Sequence, residues 1–73
     1  MVFDLTFEAF ERNIIEKGFS VVGLNHYYQN GKRYTFCAVL NTVTNKAFKA
    51  EHTESSRVFY FLSRLVELEV QKK

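Results

Sequence analysis

Seventy-three residues with one cysteine, and with ten basic against eight acidic side chains, leave room for one hydrophobic core and no second domain, so residues 1–73 read as a single unit. The lone Cys37 excludes an internal disulfide and a cysteine-rich zinc site, and a net charge of +2 with mixed signs along the chain is solubility patterning rather than a polyelectrolyte footprint. A core of this size supplies only about 3–5 kcal/mol without staples, so the eight Phe and four Tyr, or burial against a second copy, must add to it.

The opening Met-Val-Phe-Asp-Leu-Thr has no basic stretch followed by an apolar run, and nothing later approaches the roughly 18 apolar residues that span a bilayer. A cytoplasmic location and no membrane partner are expected. Thr6 suits an N-cap, with Leu5 stapled onto Phe10, so a helix begins at Phe7. Phe7, Phe10 and Ile14 then recur at helical spacing, while Glu8, Arg12 and Glu16 mark the opposite side. Gly18 fits the left-handed position that ends such a helix near Lys17, with Phe19 supplying the apolar contact beyond it.

From Phe19 the chain turns to β-branched and aromatic residues, and Asn30-Gly31 is a two-residue hairpin signal because both turn positions need positive φ. Counting outward from that turn pairs Gln29 with Lys32, Tyr27 with Tyr34, Gly23 with Ala38 and Val21 with Leu40. A three-residue loop, Val43-Thr44-Asn45, with Asn45 left-handed, would start a third strand with Phe48 opposite Leu40. The expected core face is therefore Phe19, Val21, Phe36, Ala38, Leu40, Phe48 and Ala50. Thr53 suits the cap of a last helix, Glu54 its first turn, and Lys72 and Lys73 its end. Its apolar arc, running from Val58 to Val70 with a polar stripe of Tyr60, Ser63, Arg64, Glu67 and Gln71, is wider than one sheet contact needs. The surplus is expected to meet the first helix or a partner. The expected fold is α+β: an α-β-β-β-α chain with a three-stranded antiparallel meander and both helices on one face.

On this register the opposite face carries Val22, Leu24, Cys37 and Val39 at its centre, with Tyr28 and Arg33 on the rim. That is the composition of a protein interface, one a small unstapled chain would gain by burying against a second copy. A solvated face with some Val and Thr has the same look. His26, Cys37 and Glu51 would share that face, but a flat central strand offers a cysteine no oxyanion donors and no cleft. No metal spacing and no phosphate-cradling glycine motif is present, so no enzymatic activity, metal or cofactor is expected.

The helix, three strands and helix resemble the layout of the double-stranded RNA-binding domain over nearly the whole chain. In that family the first hairpin loop enters a minor groove and basic residues opening the last helix span the major groove. The corresponding segments are Asn30-Gly31-Lys32-Arg33 and Glu54-Ser55-Ser56-Arg57. The resemblance implies nucleic-acid contact by Lys32, Arg33 and Arg57; the family's Lys-Lys-x-Ala-Lys cluster is not present. Two readings follow. One is a non-enzymatic protein-interaction or regulatory module, homodimeric, of the accessory or inhibitor kind that bacteria and phages encode. The alternative is a nucleic-acid-binding domain.

Overall fold

In the computed structural model, which describes residues 6–71, the Thr6 hydroxyl accepts the Ala9 N–H at 3.2 Å and starts α1 (Phe7–Glu16). Phe10 and Ile14 form its buried stripe. Gly18 ends the helix at φ +88°, a conformation that only glycine adopts without strain. The staple from Leu5 and the terminal Lys72 and Lys73 lie outside the described residues. Three strands follow: β1 (Phe19–Gln29), β2 (Lys32–Asn41) and β3 (Lys46–His52), antiparallel and in the order β1-β2-β3. The chain closes with α2 (Ser55–Val70). Asn30 and Gly31 take φ of 55° and 76°, the left-handed pair that the two-residue turn requires. The fold is thus the expected α+β arrangement, with a three-stranded antiparallel sheet and both helices on one of its faces.

Pairing follows the expected register from Gln29 opposite Lys32 as far as Gly23 opposite Ala38, and there it changes. Val22 is an extra, unpaired residue, so Val21 faces Val39 and not Leu40. A second residue is gained at the next connection. The loop is four residues, Thr42 to Asn45, closed by the Asn45 N–H to the Asn41 carbonyl at 2.7 Å, with Asn41 Oδ1 accepting the Val43 and Thr44 N–H groups. Asn45 is left-handed at φ 61°, as expected, but Phe48 now faces Val39 and Ala50 faces Cys37.

These two insertions overturn the expected face of the central strand. Thr35, Cys37 and Val39 lie under the helices, at 3%, 0% and 0% exposure, while Phe36, Ala38 and Leu40 point to the side no helix covers. Phe19, Val21, Phe48 and Ala50 remain with the core, because the bulge and the longer loop bring them to the same side as Cys37 and Val39. The physical reason is volume. The helices bring Phe10 and Phe59, stacked at 5.0 Å, together with Ile14, Leu62 and Val66, and compact side chains on the central strand let this bulk approach the sheet. On the other face the Phe36 ring lies over Gly23, within 3.9 Å of where a Cβ would stand, the aromatic cover that a strand glycine invites.

The start of α2 differs as well. Glu54, not Thr53, is the N-cap, and it makes no side-chain capping bond. The His52 ring supplies the local order by accepting the Glu54 N–H on Nδ1 at 3.0 Å. Part of the wide apolar arc of α2 is spent on α1 through Phe59, whose ring also meets Phe7 at 5.7 Å. Phe61 and Leu68 stay about half exposed, at 53% and 52%.

Candidate functional site

The β1–β2 hairpin is longer than β3. Its last three pairs, Tyr27 with Tyr34, Tyr28 with Arg33 and Gln29 with Lys32, lie beyond His52, which pairs with Thr35. At a rise of about 3.4 Å per residue the tip overhangs the third strand by about 10 Å. Because β3 runs toward that same end, α2 opens there, and so does α1. A groove at this end is lined by Thr6 and Phe7 of the α1 start, Leu24 and His26 of β1, and Ser55, Ser56 and Phe59 of the α2 start. The two helix N-termini point their positive dipole ends at it. His26 Nδ1 lies 3.1 Å from the Thr35 hydroxyl, which ties the ring to the sheet.

Charge at this end is mixed. Lys32 and Arg33 are exposed at the tip and form no ion pair among the described residues. Arg57, in the first turn of α2, is held by Glu54 at 2.6 Å, an exposed pair of small energetic weight. The three cations expected from the resemblance therefore sit on elements that share one end of the sheet, two of them unpaired and one engaged.

The face away from the helices is the second candidate surface. Tyr27 and Tyr34 stack at 5.4 Å with an interplanar angle of 11°, and the Tyr27 hydroxyl donates to both Glu51 carboxylate oxygens at 2.9 and 2.7 Å, reaching from β1 to β3. That bond holds the proton on Tyr27 and raises its pKa, since ionisation would place a phenolate beside a carboxylate. Phe36, Ala38 and Leu40 continue the same surface along β2. These residues were expected in the core; the interior Gly23 was the signal for a bulge that could have exposed the error.

The interface expected at Val22, Leu24, Tyr28, Arg33, Cys37 and Val39 is not assembled. Cys37 and Val39 are fully buried. Val22 is the bulged residue, 58% exposed, and Leu24 lies in the groove on the helix side, opposite Cys37. Tyr28 and Arg33 pair at the tip, with Tyr28 75% exposed. The expected juxtaposition of Cys37 with Glu51 also fails, since Ala50 faces Cys37 and Glu51 belongs to the other side. Burial raises the Cys37 thiol to about 11, opposite to what activates a nucleophile. Among the described residues no three His, Cys, Asp or Glu side chains are grouped as a metal would need, and no helix is long and apolar enough to cross a membrane. Comparison with protein-family models, with curated proteins and with solved structures returned no match, so this chain is described by its own α-β-β-β-α geometry, whose topology is that of the double-stranded RNA-binding domain.

Proposed function

We propose that this chain is a small non-enzymatic binding domain that contacts a nucleic-acid duplex through the end of the sheet where the hairpin tip and both helix openings gather. The observation that carries the reading is that convergence. Lys32 and Arg33 project on an overhanging hairpin, while Ser55 and Ser56 open α2 in the groove and Arg57, in the same first turn, borders the neighbouring groove between β3 and α2. A hairpin tip and a helix opening held on one rigid end suit the alternating grooves of an A-form duplex, where shape and phosphate contacts count for more than base edges. Only a few cations take part, and Glu54 and Glu51 lie close by in sequence, so binding is weak and strongly salt-dependent.

The test is a titration of a duplex RNA of about 20 base pairs, long enough for such a footprint, at several salt concentrations. Binding at low salt should fall steeply as salt rises, and Lys32→Ala, Arg33→Ala and Arg57→Ala should each reduce the log-log salt slope by up to about 0.9. No binding at low salt, or a slope unchanged by the triple variant, removes this reading.

A second reading, a protein-interaction module, draws on a separate observation. Among the described residues no layer covers the sheet face carrying Phe36, Ala38, Leu40 and the Tyr27–Tyr34 stack, and aromatic residues on such a surface are typical anchors of protein contacts. Phe36→Lys would abolish such a contact and leave duplex binding intact.

A further inference from the structure

β1 and β3 are the two edges of the sheet. An open edge offers a row of backbone N–H and C=O groups to any extended chain, and folded proteins usually blunt it. β1 is blunted by the bulge at Val22. β3 runs from Lys46 to His52 with no irregularity and, among the described residues, with no strand on its outer side. Alongside that edge a groove between β3 and α2 is lined by Ala50, His52, Val58 and Phe61. Phe61, and Leu68 seven residues on and so on the same side of the helix, are about half exposed.

We propose that this edge is covered by a second copy of the chain, the two β3 strands pairing antiparallel about a two-fold axis through Ala50. Charge selects both the occupant and the register. Directly opposed residues of neighbouring strands must point to the same side of the joined sheet, so the axis has to pass through a residue and not between two. An axis at Ala50 sets Lys49 opposite the second copy's Glu51, and by symmetry does so twice. An axis at Lys49 would oppose two lysines, and one at Glu51 two glutamates, each a repulsive pair. The alternation Lys49-Ala50-Glu51 is therefore complementary to itself in one register and repels in the registers on either side. Glu51 accepts the Tyr27 hydroxyl and still has lone pairs for an ammonium. The axis is perpendicular to the sheet, so both α2 helices stay on the same side of a continuous six-stranded sheet, with Phe61 and Leu68 flanking the seam.

The proposal is independent of duplex binding. It is tested by sedimentation equilibrium over about 5 to 500 μM protein, where mass action should move the mass from monomer toward dimer. Lys49→Glu should weaken association about tenfold or more, because both cross-strand pairs turn repulsive. The double variant Lys49→Glu with Glu51→Lys should restore it, and Phe61→Arg should weaken it without changing the register. These three positions are exposed, and unchanged circular dichroism would establish that the variants fold. A monomer at every concentration, a dimer indifferent to Lys49→Glu, or a double variant no better than the single one would each overturn the proposal.

Discussion

The two sides of β2 both carry apolar side chains and have opposite fates. Thr35, Cys37 and Val39 are sealed under the helices, whereas the bulkier Phe36 and Leu40, on the same strand, lie on the uncovered side. Burial here was not awarded to the more hydrophobic set. It went to the set whose volume fits what the rest of the chain brings: two helices already loaded with Phe10, Phe59, Ile14, Leu62 and Val66 pack best on a central strand of compact side chains.

The most severe way to break this comparison is to place the same charge on each side. Val39→Lys should leave the domain unfolded or lose about 4 kcal/mol or more, because the ammonium has no solvent and no partner at a fully buried site. Leu40→Lys, one residue on, should cost no more than about 1 kcal/mol. Urea titration of the pair reads the difference, and equal losses would mean that the two faces are not distinct.

Truncation sharpens the same contrast. Phe10→Ala removes a ring with no exposure and a stacked partner in Phe59, so it should destabilise by about 3–5 kcal/mol. Phe36→Ala should cost about 1 kcal/mol, its half-buried ring lying over Gly23 on the side away from the helices. Thermal melts of both variants would show whether the larger loss falls on the helix side.

Cys37 offers a pH readout of the covered side. Its thiol is pushed up to about 11 by burial, above the roughly 8.5 of a free cysteine. Between these values the unfolded chain loses its thiol proton while the folded one keeps it, so stability is intact below about 8.5 and falls as pH rises toward 11. Cys37→Ala should flatten the fall, and native alkylation of Cys37 at pH 8 should be far slower than in denaturant. Rapid labelling of the folded protein would contradict the burial. The smallest effect belongs to Ser63, whose buried hydroxyl has no hydrogen-bond partner among the described residues. Ser63→Ala should be neutral or stabilising by up to about 1 kcal/mol, a rise of a few degrees in Tm.

Local signals in the chain were legible wherever one residue type answers one backbone demand. Thr6 caps α1, Gly18 ends it, Asn30-Gly31 reverses the first hairpin and Asn45 takes its left-handed place. Each was readable because the alternatives are sterically costly. The cap of α2 was not: Thr53 is the residue type that suits the position, yet the helix opens one residue later, at Glu54, whose N–H is taken by the His52 ring. The candidate interface suffered most. Strand parity is carried by counting, and the inserted residues at Val22 and in the loop before Lys46 exchange the inward side chains of the central strand for their neighbours.

The order of elements, the Asn30-Gly31 reversal and the placement of Lys32 and Arg33 at a hairpin tip were determined by the sequence alone, because they depend on residues adjacent in the chain. Which side of the central strand faces inward, and hence whether Cys37 and Val39 or Phe36 and Leu40 are available to a partner, was decided only when the helices packed. That choice compares the summed volume of side chains far apart in sequence, and no local preference carries it.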